Sequence, residues 1–170
     1  MRKKIYVSAM AGLLASAGAV LAQDVTVVLH EQPANLEPCR SIRADIGRVI
    51  NMNITETLTV TNADTGEVEP HLATEWTQID PQTWQFTLRD GVSFQDGAPL
   101  NAEAVVNSVN RLMNPNLTCD SRSKFGDQTL TPTVIDEKTV QIQSSIANPI
   151  MPTLMSTVQI VAPSTPFDAE

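Results

Sequence analysis

The side chains able to do chemistry are few and scattered. Asp64-Thr65-Gly66 spells the D-T-G string in which aspartic proteases hold one of two carboxylates that share a proton. Here it lies in TNADTGEVEP, residues 61–70, with no apolar strand running into it. Asp and Gly also form turns by themselves, so the string reads as a turn. His30 and His71 are isolated, without metal-ligand spacing to Cys39 and Cys119. No Gly-rich phosphate loop and no nucleophile elbow occurs. The residues therefore point to no catalytic group, no metal and no cofactor. The remaining candidate is the polar loop His30-Glu31-Gln32-Pro33, which follows an apolar strand. Loops just past strand ends are where α/β folds place ligand contacts, although an ordinary polar loop has the same composition.

The chain has 170 residues and a formal charge of −8. Residues 1–22 resemble a secretory leader. Arg2-Lys3-Lys4 precedes an uncharged run rich in small residues, and Val20 and Ala22 suit cleavage before Gln23. Without those three cations the charge is −11. So acidic a surface disfavours nucleic acid and anionic membranes. An exported product meets an oxidising compartment, where Cys39 and Cys119 can pair. The bond would close a loop of about 80 residues, worth roughly 4–5 kcal/mol in the chain-entropy view. Two unpaired thiols are the alternative.

The scaffold centres on residues 72–115. Four of the six large rings beyond the leader lie there: Trp76, Trp84, Phe86 and Phe94. Rings dominate core energetics. Trp84, Phe86 and Leu88 alternate with polar residues, the period of a strand with one buried face. Asp90-Gly91 and Asp96-Gly97 are turn signals around a short strand, Val92 to Phe94. Asn101 is a good N-cap for a helix over 102–113, whose apolar stripe is Val105, Val106, Val109, Leu112 and Met113. Asn114-Pro115 stops it.

Upstream, Val25–Leu29 reads as a buried strand. A helix capped by Ser41 is expected to run to about Glu56, followed by strands at Leu58–Val60 and from Val68 around an Asn62–Gly66 turn. Glu75–Ile79 and Thr83–Leu88 form a hairpin. Residues 114–130 read as a polar loop. A hairpin at 133–142, a short helix near Ile150–Met155 and a strand at 159–162 complete an α+β pattern.

An ordered set of strings carries a resemblance: VTVVLHEQPANLEP, ETLTV, PHLATEW, TWQFTLRDGVSFQDGAPLNAEAVVNSVNRLMNP, TVIDEKTVQIQ and IVAP. Together they resemble the N-terminal part of the family 5 solute-binding proteins, the periplasmic peptide- and nickel-type receptors of ABC importers. The resemblance implies a two-lobed receptor that traps a small-molecule or peptide ligand by hinge closure. It then delivers that ligand to an inner-membrane ABC permease. It implies a monomer that is not an enzyme and has no cofactor, and a ligand from among di- and oligopeptides, nickel complexes, opines and oligosaccharides, with di- or oligopeptides the leading expectation. Mapped on this chain, 23–57 begins the large lobe, 58–162 is a subdomain beside it, and 163–170 is a truncated end with the second lobe absent. Glu31, Gln32 and Pro33 match a segment that lines the cleft, and Cys39 and Cys119 would join the lobe segment to the subdomain. An exported envelope interaction module without transport is the alternative.

Overall fold

The computed structural model describes residues 36–40 and 44–166, together with Thr26 and Val28. Three helices and eight strands follow in order. They are α1 (Ala44–Asn53), β1 (Glu56–Thr57), β2 (Thr59–Thr61), β3 (Val68–Pro70), β4 (Ala73–Asp80), β5 (Thr83–Leu88), α2 (Ala102–Met113), β6 (Leu130–Val134), β7 (Thr139–Ser144), α3 (Met151–Met155) and β8 (Gln159–Ile160). Short 3-10 turns occupy Pro38–Arg40 and Asp120–Phe125.

The main sheet is antiparallel, in the order β4-β5-β7-β6. Its register places Trp76 opposite Phe86, and Phe86 opposite Val140. Period two then puts Trp76, Trp84, Phe86, Val140 and Ile142 on one face. Phe86, Val140 and Ile142 are fully buried, and Trp76 and Trp84 pack against them. The opposite face carries a cross-strand row of Thr77, Gln85, Gln141 and Thr133. In that row the Gln85 amide donates to Gln141 at 3.2 Å.

Helix α2 packs on β6, β7 and β8. Asn101 caps it as its sequence predicts: the Ala104 N–H donates to the Asn101 side-chain oxygen at 3.0 Å. Val105, Val109 and Leu112 are buried, while Val106 and Met113 are half-buried at the stripe's edge. Two further strand pairs flank this core. β2 pairs with β3 around the Asn62–Gly66 turn, and β1 pairs with β8.

Four readings of the sequence change. Helix α1 ends at Asn53, not at Glu56. The N–H groups of Ile54 and Thr55 and the Thr55 hydroxyl converge on the Ile50 carbonyl, and Glu56 leaves to pair with Ile160. Ser41, the expected cap, lies outside the described residues. Second, Val92–Phe94 is not a strand. It is one arm of a tight loop closed by an isolated bridge, Ser93 to Pro99, and by Phe94 N–H donation to Ala98. Its apolar side chains alternate because the loop lays Val92 and Phe94 on the core. Third, the 114–130 segment is not all loop, since it contains the Asp120–Phe125 turn with Phe125 buried. Fourth, the Val25–Leu29 buried strand finds no support at its two described positions. Thr26 and Val28 have no regular structure and Val28 is 88% exposed. The other three residues lie outside the described set.

Three turns share one device. Asp80, Asp96 and Asp136 each accept the backbone N–H two residues on, from Gln82, Ala98 and Lys138, at 2.7, 3.0 and 2.8 Å. Hydrogen bonds to the ionised form lower a carboxyl pKa. For Asp80 the chief cause is the Gln82 N–H, for Asp96 the Ser164 hydroxyl, and for Asp136 the Lys138 N–H; all three fall below the ordinary 3.8. A depressed folded pKa adds stability above the unfolded value, and that stability is lost as pH falls through the folded value. Thermal melts should therefore show no loss from these groups between about pH 7 and pH 5, and a loss below about pH 4. A triple Asp→Asn variant should lack that component of the acid limb.

Candidate ligand-facing cleft and its supports

The expected ligand loop, Glu31, Gln32 and Pro33, lies outside the described residues. The chain that follows it is described from Leu36, and there it borders a cleft of about 290 Å³. One wall is Leu36–Pro38. The others are the Ile54–Glu56 exit from α1, the Val92–Gln95 loop, and the stretch from Ile160 to Thr165. Leu72, Leu100 and Val161 supply a buried apolar floor, and Thr55, Glu56 and Gln95 supply a polar rim. Mixed lining of this kind suits a ligand with both backbone-like polar groups and apolar side chains.

Each wall is fastened. Gln95 donates to the Ile54 carbonyl at 2.9 Å, tying the loop to the end of α1. The Ser164 hydroxyl donates to Asp96 at 2.7 Å, tying the same loop to the end of the described chain. Thr55 donates to the Gln159 side chain at 2.8 Å, across the β1–β8 pair.

The strongest support is a buried ion pair. Arg111, on α2, is 2% exposed. Its guanidinium meets Glu37 at 2.7 and 3.3 Å, and its Nε donates to the Pro166 carbonyl at 2.7 Å. Two parallel N–H···O bonds fix a carboxylate in direction as well as distance. One side chain thus holds chain segments from both edges of the cleft. Beside it Cys39 and Cys119 form a disulfide. Neither Arg111 nor Glu37 stood out in the sequence. The available signal was an arginine beside Leu112 and three residues after Ser108, on the side of the helix that turns inward.

The other sequence candidates lie apart. Asp64 is exposed in the Asn62–Gly66 turn, where the Asn62 side chain accepts the Asp64 and Thr65 N–H groups at 2.9 and 3.1 Å. That is a turn device. His71 meets Glu56 at 3.2 Å and contacts Thr57 at 3.4 Å. No group of three or more His, Cys, Asp and Glu side chains suited to a metal occurs among the described residues. No described helix is long and apolar enough to cross a membrane.

The pattern of the bacterial extracellular solute-binding proteins, family 5 Middle, matches residues 67–170. The chain belongs to family 5 of the bacterial extracellular solute-binding proteins. Periplasmic murein peptide-binding protein MppA of Escherichia coli (strain K12) is 37% identical to this family 5 chain over 100 residues, 58% of this chain and 18% of MppA. The HTH-type transcriptional regulator SgrR of Salmonella typhimurium (strain LT2) is 36% identical over 86 residues, 50% of this chain and 15% of SgrR. The solved structure of the Escherichia coli murein tripeptide binding protein MppA superposes with a TM-score of 0.67 at 28% identity, covering 79% of this chain and 30% of that one. The α+β arrangement is thus that of a segment of the two-lobed periplasmic binding proteins. The chain spans less than a fifth of the length of the curated relatives it matches. The family is one of solute-binding proteins, not a class of enzymes.

Proposed function

We propose that this chain is part of a periplasmic receptor for di- or oligopeptides that serves an ABC importer. The observation that carries the reading is the 37% identity to a murein peptide-binding protein over 100 residues of this chain. The leader-like residues 1–22 supply the route of export, with cleavage after Ala22. In this reading residues 23–57 open the large lobe and 58–162 form its subdomain. Ligand is held between two lobes that close about a hinge. Glu31, Gln32 and Pro33 contact it; they precede Leu36 by five, four and three residues, about 10–17 Å of extended chain. Their carboxylate and amide suit the amino terminus and backbone of a peptide. A membrane permease then receives the ligand.

The test is uptake. A strain deleted for the gene should lose import of labelled di- and tripeptides and recover it from a plasmid copy. A Glu31→Ala, Gln32→Ala double variant should restore it poorly, with peptide affinity weakened at least about tenfold, the effect of losing one charged hydrogen bond. Uptake at the wild-type rate in the deletion strain would refute the transport reading.

One observation favours a second reading. A block of this family also occurs in a protein named as a transcriptional regulator, so it is not tied to transport. As an envelope interaction module, the protein would leave peptide uptake untouched and co-purify with a macromolecular partner instead.

A further inference from the structure

The two cysteines lie 80 residues apart in sequence, yet each is set in place by contacts that do not involve sulfur. On one side, Glu37 accepts the Cys39 N–H at 3.0 Å while its carboxylate is gripped by Arg111. On the other, the Cys119 carbonyl accepts the Arg122 N–H at 3.1 Å. The Arg122 side chain then gathers three carbonyls, one from the last turn of α2 and two from the loop that carries Cys119. It donates to Leu112 and Leu117, each at 2.6 Å, and to Asn114. Leu117 is buried beneath that loop, and Ser121 donates to the Thr157 carbonyl at 2.6 Å to fix the turn after it. Both cysteines are half-buried beside a narrow crevice bordered by Ser108 and Arg111.

We infer that Arg111, acting through Glu37, and Arg122 preassemble Cys39 and Cys119, so that the disulfide closes last, on an already folded framework, and opens and closes reversibly without unfolding the protein. The physical reason is loop closure. Joining the ends of an 80-residue loop is entropically costly in a free chain, but the cost is already met where non-covalent contacts hold both ends. The exchange chemistry is ordinary. One protein thiolate attacks an external disulfide, releasing one thiol and leaving a mixed disulfide. The second protein thiolate attacks the protein sulfur of that mixed bond and releases the other thiol. Two electrons pass from the protein dithiol to the oxidant. In an exported protein the oxidant is a disulfide-bearing carrier, and oxidised glutathione serves as the probe. Arg111 and Arg122 are positioning residues in this scheme, since neither reacts. The inference does not depend on the ligand.

The experiment uses the full chain, reduced and then exposed to oxidised glutathione, with quenched mass spectrometry following the species. Reduced wild type should keep its tryptophan near-ultraviolet signature and its amide protection at 36–40 and 114–122. It should pass to the Cys39–Cys119 bond without accumulating the glutathione adduct. Arg111→Lys and Arg122→Lys lose the forked geometry that lysine cannot reproduce. They should slow the second step at least tenfold, so that the adduct accumulates, while a Cys39→Ser, Cys119→Ser variant stays folded. Loss of protection at those segments in reduced wild type would overturn the inference, and that readout stands even where an arginine variant fails to fold. So would folded arginine variants that close the bond at the wild-type rate.

Discussion

Arg111→Ala should destabilise the protein by about 3–5 kcal/mol, the range for stranding one partner of a buried ion pair. The side chains of Arg111 and Glu37 are 3% and 9% exposed, so solvent cannot take over the work of the missing guanidinium. The variant leaves the Glu37 carboxylate buried without its cation and the Pro166 carbonyl without its Nε donor. Chemical denaturation of both proteins measures the loss. A double-mutant cycle separates the two contributions. Glu37→Gln alone should cost less than Arg111→Ala, because glutamine keeps the volume and still accepts a hydrogen bond, although it leaves the Arg111 guanidinium without its counter-charge. Arg111→Met with Glu37→Leu should recover much of the loss, since apolar residues of similar volume often replace a buried pair at little cost. A single Arg111→Ala loss within about 1 kcal/mol of zero, the scale of an exposed pair, would show that the pair does not hold the segments together.

Phe86→Ala should cost about 3–5 kcal/mol, as expected for emptying a fully buried ring position. Phe86 has no exposed surface and sits mid-strand on β5, between Trp76 on β4 and Val140 on β7. Its ring centroid lies 6.5 Å from that of Trp76 at a tilt of 37°, within the range of favourable aromatic pairs. Its loss removes a packing partner from both neighbouring strands. Phe86→Leu should cost less than half as much, because it keeps most of the volume. Denaturant unfolding monitored by tryptophan fluorescence reads both. Equal effects of the two substitutions would argue against a volume-determined core here.

These two sites differ in how they show in the sequence. Phe86 is legible because its signal is local: a two-residue period, bounded by Pro81-Gln82 and Asp90-Gly91. Helix α2 is legible for the same kind of reason, with Asn101 at one end, Pro115 past the other, and a stripe between. The Glu37–Arg111 pair has no local signature. Its partners are 74 residues apart, and each residue alone has the composition of a surface charge. The β1–β8 pair fails similarly, because two-residue strands are too short to show a period and their partner is about 100 residues away. Val92–Phe94 misled in the other direction. A loop folded onto the core alternates its apolar side chains as a strand does. The polar loop at Glu31–Pro33 is singled out by sequence, whereas the fastened cleft walls, described from Leu36 onward, become apparent only in three dimensions.

The contact of one guanidinium with both Glu37 and Pro166 also bears on how the chain enters and leaves the segment between them. Two points of the chain about 130 residues apart thus lie within the span of a single side chain. A folded unit whose two ends lie side by side can be spliced into a host chain at one surface position without prising the host apart. Segments of 100 and 86 residues of this chain match a murein peptide-binding protein and a transcriptional regulator, each several times longer than the matched segment. Adjacent points of entry and exit at Glu37 and Pro166 make the insertion of a unit bounded by them geometrically simple.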